Sequence, residues 1–170
     1  MDNIEIKARV DNPVRIRDLI NALEPTFVGL DHQIDTYFKI THGRFKLRES
    51  SLSGSHLIFY IRDNHTGPKS SVYQKIPVED EAGLKNLLKK MLGIHAVVEK
   101  NREIYLYENV RIHLDEVEKL GNFLEIEAVM DDKYNNREVE TEKVNFLSDK
   151  LKIKDKDLIS VSYENLMERY

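Results

Sequence analysis

The segment Asn3-Ile4-Glu5-Ile6-Lys7 alternates polar and apolar residues, and charged pairs with the same spacing return in three later strand-like runs. The charged pairs, each two positions apart, are Glu5 and Lys7, Lys46 and Arg48, Lys100 and Arg102, and Glu125 and Glu127. Side chains two positions apart on a strand point to the same face, so each pair shares one face and leaves the other to apolar residues. This pattern predicts a sheet that curls into a barrel with a polar lumen and packs helices on its exterior.

A solvated sheet is the alternative explanation for any one of these pairs. Lys and Arg on an exposed strand face are commonly balanced by Glu on the neighbouring strand. Four pairs on separate strands, three of them directly interleaved with large apolar residues, favour the barrel. Spacing alone leaves both explanations open.

The composition limits the class of protein. The 170 residues fit one domain that is long enough to bury a core. The 26 basic and 30 acidic residues give a net charge of -4, which argues against a general nucleic-acid binder. The absence of cysteine excludes disulfides, thiolate catalysis and Cys-ligated zinc. No leader pattern or long apolar run is present, so we expect a cytoplasmic protein without a membrane partner, whereas the oligomeric state stays open.

Hydrophobic periodicity and turn signals predict an α+β fold with eight antiparallel strands. The strands are expected at residues 3–10, 27–40, 44–49, 57–63, 71–76, 94–107, 110–114 and 122–130. Helices are expected at residues 13–23 and 79–92, beyond residue 132, and at residues 162–170. Short gaps between most strands indicate hairpins, which the barrel requires.

Basic residues on these strands outnumber the acidic ones. The bases are Lys7, Lys46, Arg48, Arg62, Lys75, Lys100, Arg102 and Arg111, and the acids are Glu5, Asp115, Glu125 and Glu127. Buried cations without partners are costly, so a shared lumen predicts a polyanionic ligand. Arg and Lys are the usual donors to phosphate, and their number suits three phosphates in a line. The carboxylates would repel such a ligand unless Mg²⁺ or Mn²⁺ lies between them, which predicts a metal triphosphate.

Several segments resemble the CYTH superfamily, the triphosphate tunnel metalloenzymes. Residues 3–7 resemble its N-terminal Glu-x-Glu-x-Lys signature, with Asn3 where the first glutamate is expected, and residues 43–49 are similar to its strand with two alternating basic residues. The chain also resembles the class IV adenylyl cyclase-like branch of this superfamily, at residues 33–38, 60–63, 67–69, 100–102, 111–115, 120–127 and 162–166. The motifs occur in this order across nearly the whole chain.

The resemblance implies one CYTH-like domain over residues 1–170, with an eight-stranded antiparallel tunnel and helices outside. It implies that Glu5, Glu125 and Glu127 bind the metal, and that Asp115 and Glu125 act in catalysis. It implies phosphate-binding roles for Lys7, Lys46, Arg48, Arg62, Lys100, Arg102 and Arg111, with Lys75 and Lys69 as looser matches. Asp35 and Tyr37 are expected to lie outside the site, because a strand Tyr more often serves packing.

Three functions follow from this resemblance. A cyclase-like enzyme would convert ATP to cyclic AMP and pyrophosphate with Mg²⁺ or Mn²⁺. A triphosphatase would use water as the nucleophile and hydrolyse inorganic, nucleoside or thiamine triphosphate. A non-catalytic binder of nucleotides or polyphosphate is the third possibility, and Asn3 motivates it because an amide oxygen can ligate Mg²⁺ but brings no charge.

Overall fold

The computed structural model describes residues 2–62 and 67–168, and in this part of the chain eight antiparallel strands close into a barrel. The strands are β1 (Asp2–Val10), β2 (Thr26–Phe38), β3 (Arg44–Ser50), β4 (Ser55–Arg62), β5 (Lys69–Val78), β6 (Ile94–Tyr107), β7 (Val110–Val117) and β8 (Gly121–Met130). The helices are α1 (Pro13–Asn21), α2 (Glu81–Leu92), α3 (Arg137–Lys150) and α4 (Tyr163–Met167), with a 3₁₀ turn at Asp155–Asp157. The predicted α+β barrel is confirmed.

The order of strands around the barrel is β1-β5-β4-β3-β2-β6-β7-β8, and β1 also pairs with β8 to complete the ring. Strands β1 and β8 therefore lie opposite β2 and β3. Antiparallel register sets Lys7 beside Glu125, and Arg102 beside Asp115. Because neighbouring partners point to the same face of a sheet, this register brings charges from different strands into one lumen.

The main apolar core lies outside the barrel, between the outer face of β1, β7 and β8 and the helices α1 and α3. Ile6, Ile112 and Ile126 face outward from the strands, and Ile20 and Leu147 meet them from the helices. Asn12 caps α1 by accepting a hydrogen bond from the Arg15 amide, with Pro13 in the first turn. The alternation of the sequence is thereby satisfied on both sides of the sheet.

Helix α2 is less buried than its periodicity suggests. Leu84 and Leu88 are half-buried, whereas Leu87 is 52% exposed and Met91 is 68% exposed. The helix contacts β2 and β3 and is attached by the ion pair between Lys85 and Glu49, at 2.6 Å, instead of packing against the main core. An apolar stripe predicts a helix face but not how much apolar surface its neighbours offer.

Two further details differ from the sequence expectation. Strand β7 continues to Val117, so Asp115 lies within a strand instead of in the turn that follows. Helix α4 does not pack only on the exterior, because Tyr163 lines the interior of the barrel. No helix among the described residues combines the length and apolar character needed to cross a membrane.

Candidate functional site

The barrel contains a cavity of about 480 Å³, and most of the predicted site residues line it. The predicted residues in its wall are Glu5, Lys7, Lys46, Arg48, Lys75, Lys100, Arg102, Arg111, Glu125 and Glu127. Asp115 is fully buried behind this wall. Arg62 belongs to β4 and Lys69 to β5, but the side chains of both lie outside the described part of the structure.

One carboxylate, Asp35 on β2, binds three of these cations. Its oxygens accept hydrogen bonds from Lys46 Nζ at 2.7 Å, from Arg48 Nε and Nη2 at 2.7 Å each, and from Lys100 Nζ at 3.3 Å. Asp35 is 1% exposed, and burial raises the pKa of its carboxyl, but Arg48, Lys100 and Lys46 more than offset this and hold the pKa well below its ordinary value. With all three cations protonated, this cluster has a local charge of two positive units.

Burial brings two of these ammonium groups close to titration at neutral pH. It lowers the pKa of Lys100 to about 7 and that of Lys46 to about 8, although Asp35 raises both. Arg48 stays charged, because a guanidinium does not lose its proton in proteins. A bound polyanion would favour the protonated forms of Lys46 and Lys100.

A second charged group lies at β6, β7 and α4. Arg102 donates to Asp115 through Nε at 2.7 Å and Nη2 at 2.6 Å, and Nη2 also donates to Glu125 Oε2 at 2.6 Å. Tyr163 donates its hydroxyl to Asp115 Oδ2 at 2.8 Å. Asp115 therefore fixes the orientation of Arg102 from behind. A direct role for Asp115 near a reacting phosphate stays a prediction.

Glu125 connects this group to the opposite side of the barrel. Its Oε1 lies 2.8 Å from Lys7 Nζ, and the Lys7 ammonium lies 3.6 Å from the centre of the Tyr163 ring. Burial raises the pKa of Glu125, but Lys7 and Arg102 outweigh it and lower the pKa well below the ordinary value. His113 also lines the cavity, with Nδ1 3.7 Å from Glu125 Oε2. Glu125 is thus ionised at neutral pH and can accept hydrogen bonds.

Side-chain oxygens that could ligate a metal dominate the wall formed by β1 and β8. Asn3 donates through Nδ2 to Glu127 Oε1, which fixes its amide, and Asn3 Oδ1 is buried with no hydrogen-bond partner in the described structure. Glu5 and Glu127 line the cavity beside it, with Arg111 Nη1 3.9 Å from Glu127 Oε2. Within residues 2–62 and 67–168, no three His, Asp or Glu side chains already form a metal-ligand cluster. This donor set fits a hard divalent cation that takes only a few protein oxygens and completes its shell with phosphate oxygens and water.

Asp35, Tyr37 and Tyr163 belong to the site although the sequence did not assign them to it. Asp35 and Tyr37 were expected to lie outside the site, yet Asp35 binds the cation cluster and the Tyr37 hydroxyl accepts from Lys46 Nζ at 3.2 Å. Tyr163 lies within a recognised motif, but nothing in its spacing showed that α4 enters the barrel. The signal for Asp35 was the hairpin register, which sets it directly opposite Arg48.

Comparison with known proteins gives consistent matches over the whole chain. A family model described as the CYTH domain matches residues 1–163. A protein of Methanocaldococcus jannaschii named "Putative adenylate cyclase MJ0240" is 28% identical, and the match covers 98% of each chain. The PH1012 protein from Pyrococcus horikoshii has a similar structure, with a TM-score of 0.86 at 28% identity over 96% of this chain and 98% of its own.

A plant protein shares the fold at lower identity. The protein is from Hippeastrum and is described as a "putative adenylyl cyclase" that reveals a dominant triphosphatase activity. Its structure gives a TM-score of 0.69 at 15% identity, covering 98% of this chain and 95% of its own. At this identity the comparison shows a common fold.

Replacing Asp35 by Asn should lower the free energy of unfolding by about 3 kcal/mol, because three buried cations lose their common counterion. Urea denaturation at pH 7 measures the loss. Added tripolyphosphate should restore more stability to this variant than to the wild type, because its oxygens replace the missing carboxylate. The exposed Asp18→Asn on α1 is the matched control and should change stability by less than about 0.5 kcal/mol. An Asp35→Asn protein as stable as the wild type would contradict this role.

Binding of ATP at pH 8 should take up between about one and two protons, because Lys100 is then mostly neutral and Lys46 about half neutral in the free protein, and both become charged beside the phosphates. At pH 6, Lys100 is already protonated, so the uptake should be smaller. Calorimetry in buffers of different ionisation enthalpy gives the number of protons. Lys100→Met should remove most of the uptake and Lys85→Met on α2 should leave it unchanged. Equal uptake at both pH values would show that Lys100 does not respond to the ligand.

Proposed function

Because the chain belongs to the CYTH domain family, we propose that it is a metal-dependent enzyme that acts on a triphosphate inside the barrel. The proposed reaction is of the adenylyl cyclase type, in which ATP gives cyclic AMP and pyrophosphate. The observation that supports a triphosphate substrate is the convergence of Lys46, Lys100 and Arg102, all buried, on one cavity. The name of the Methanocaldococcus jannaschii relative favours the cyclase reaction.

The distribution of charge in the cavity suits a metal triphosphate better than a bare anion. The structure adds two buried acids, Asp31 and Asp35, to those counted in the sequence, so the lumen is closer to neutral than expected. The excess of positive charge is local and lies around Asp35. The opposite wall, on β1 and β8, presents Asn3, Glu5 and Glu127. A phosphate chain can contact the cationic wall while its bound cation faces the carboxylates.

The cationic side chains would bind and orient the phosphates. Lys46 and Lys100 offer ammonium donors with unused capacity, since each makes few contacts and an ammonium has three hydrogens. Arg102 is held by Asp115, so less conformational freedom is lost when it contacts a phosphate oxygen. This preorganisation would stabilise the charge that develops on the phosphate oxygens in the transition state.

The family implies a divalent metal, and we propose Mg²⁺ or Mn²⁺. When bound, such an ion neutralises charge on phosphate oxygens. Glu5, Glu127 and the unpartnered Asn3 Oδ1 would hold it. Glu125 has a strongly lowered pKa, so it is a weak base that would orient the attacking hydroxyl by accepting its hydrogen bond. The sequence also implied that Glu125 binds the metal. The ion pairs of Glu125 with Lys7 and Arg102 would compete with such binding.

Two nucleophiles can use the same arrangement. In the cyclase reaction, the ribose 3′ oxygen bonds to the α-phosphorus, its proton passes to solvent, and the bond to the β-phosphate oxygen breaks to release pyrophosphate. In the triphosphatase reaction, a water oxygen bonds to the terminal phosphorus, one of its protons passes to solvent, and the bond from that phosphorus to the bridging oxygen breaks, which gives orthophosphate and a diphosphate. The difference lies in which oxygen is positioned for attack, and the Hippeastrum protein's description contains both activities.

The direct test incubates the purified protein with Mg²⁺ or Mn²⁺ and either ATP or tripolyphosphate, and separates cyclic AMP, pyrophosphate and orthophosphate. We expect cyclic AMP from ATP and no product with a chelator. Arg102→Met should lower the activity at least about 100-fold, because the variant lacks the positively charged hydrogen-bond donor that Asp115 holds in place. The exposed Arg15→Met on α1 is the matched control and should keep full activity.

The products separate the three candidate functions. Orthophosphate without cyclic AMP would establish the triphosphatase in place of the cyclase. Binding of either triphosphate without turnover, in the wild type and in Asn3→Glu, would overturn the enzyme and leave a non-catalytic binder. Turnover that rises in Asn3→Glu at low metal concentration would show that the amide at this position limits metal binding.

A further inference from the structure

Gln33 on β2 lines the cavity and carries a buried hydrogen-bond acceptor that no group of the described structure satisfies. The side chain is 4% exposed and lines the cavity. Its Nε2 donates to Asp31 Oδ2 at 2.6 Å, and its Oε1 is buried without a partner in residues 2–62 and 67–168. A buried acceptor left unpaired costs about 1–3 kcal/mol, so a ligand that pairs with it gains affinity.

The orientation of this amide is fixed by Asp31. Burial raises the pKa of Asp31, but hydrogen bonds from Gln33, Ser50, the Leu52 amide and Ser51 outweigh it and lower the pKa. Asp31 is therefore a carboxylate at neutral pH and can only accept hydrogen bonds. It binds the amino end of Gln33, and the carbonyl end is left without a partner in the described structure. Rotation of the amide would place Gln33 Oε1 beside Asp31 Oδ2, and both of these oxygens are acceptors.

The chemistry of a phosphate chain does not match this acceptor. Ionised phosphate oxygens are acceptors too, so one placed at Gln33 Oε1 would be repelled. The matching group is an O–H or N–H donor, which the hydroxyls of a sugar and the amino group of a base provide. Fully ionised tripolyphosphate has neither.

Apolar side chains line the part of the cavity near Asp31. Asp31 accepts a hydrogen bond from the Leu52 amide at 3.1 Å, which positions the loop after β3. Leu52 lies over Gly29, where a Cβ would come 2.9 Å from Leu52 Cδ1, and Ile104 is the β6 partner of Gly29. Val28 and Leu52 are 56% and 52% exposed although both line the cavity. These residues form an apolar rim that a phosphate chain does not require.

We propose that Gln33 and this rim of Val28, Leu52 and Ile104 bind the organic group of a nucleoside triphosphate, with Gln33 Oε1 accepting a hydrogen bond from a sugar hydroxyl or a base amine. This inference rests on the proposed function and narrows it, because it makes inorganic tripolyphosphate the poorer ligand. Gln33 is thereby a specificity-determining residue, whereas Lys46, Lys100 and Arg102 recognise the phosphates common to both ligands.

The test compares the affinities of ATP and tripolyphosphate by calorimetry in the presence of a chelator, which prevents turnover. Gln33→Met keeps the length of the side chain but removes its acceptor, and Asp31 retains the donors from Ser50, Ser51 and the Leu52 amide. We expect ATP to bind about tenfold more weakly to the variant and tripolyphosphate to change less than about twofold. Gln74→Met on the outer face of β5 is the matched control and should change neither affinity.

Two ATP analogues identify the donor. One lacks both ribose hydroxyls, as 2′,3′-dideoxy-ATP does, and the other lacks the base amine, as purine riboside triphosphate does. The analogue that lacks the donor should bind the wild type about tenfold more weakly than ATP and lose nothing further in Gln33→Met. If both analogues bind the wild type as ATP does, Gln33 pairs with water and the inference is overturned.

Other outcomes separate this inference from the proposed function. An equal loss of ATP and tripolyphosphate in Gln33→Met would show a general change of the cavity and would overturn the inference. Tighter binding of tripolyphosphate than of ATP to the wild type would overturn it as well, and would leave a triphosphate enzyme standing. Failure of the wild type to bind either ligand with the chelator, together with no turnover of either ligand with Mg²⁺ or Mn²⁺, would overturn the proposed function itself.

Discussion

The contact of Asp35 with Lys46, Arg48 and Lys100 is the interaction on which the interior of this barrel depends. Strands β2, β3 and β6 supply these groups, and each loses its hydration when the sheet closes. A single carboxylate cannot neutralise three cations, so it lowers the cost of burying them without removing their excess charge. The protein thus maintains a cluster of oriented donors that can bind an anion.

The two faces of the sheet have separate tasks. The outer face of β1, β7 and β8 packs against α1 and α3 and supplies most of the apolar burial. This frees the inner face from packing, so that it can hold charged groups in fixed positions. Within the lumen, the Asp35 cluster and the oxygen donors around Glu127 lie on opposite walls. The proposed metal triphosphate has the same separation of charge, with phosphates on one side and a cation on the other.

Alternation within strands was enough to predict which residues share a face, because the period of two is a property of the extended backbone. It placed Lys7, Arg102 and Glu125 in one lumen without any knowledge of the strand order. The partners across strands were harder, since register depends on turn lengths and on the closure of the ring. Asp31 was missed for this reason, whereas Asp35 was left out because it shares a face with Tyr37, which was expected to serve packing. The cavity is therefore closer to neutral than the sequence suggested. The entry of Tyr163 was also unpredictable, because it depends on where α4 returns to the barrel.

A crystal structure of the protein with tripolyphosphate and Mg²⁺ would show directly whether the cationic lumen binds the phosphate chain. We expect phosphate oxygens within hydrogen-bond distance of Lys46 Nζ, Lys100 Nζ and the Arg102 guanidinium, with the metal on the side of Glu5 and Glu127. Density for the anion on the outer surface, with the Asp35 cluster unchanged and the lumen filled by water, would contradict this expectation.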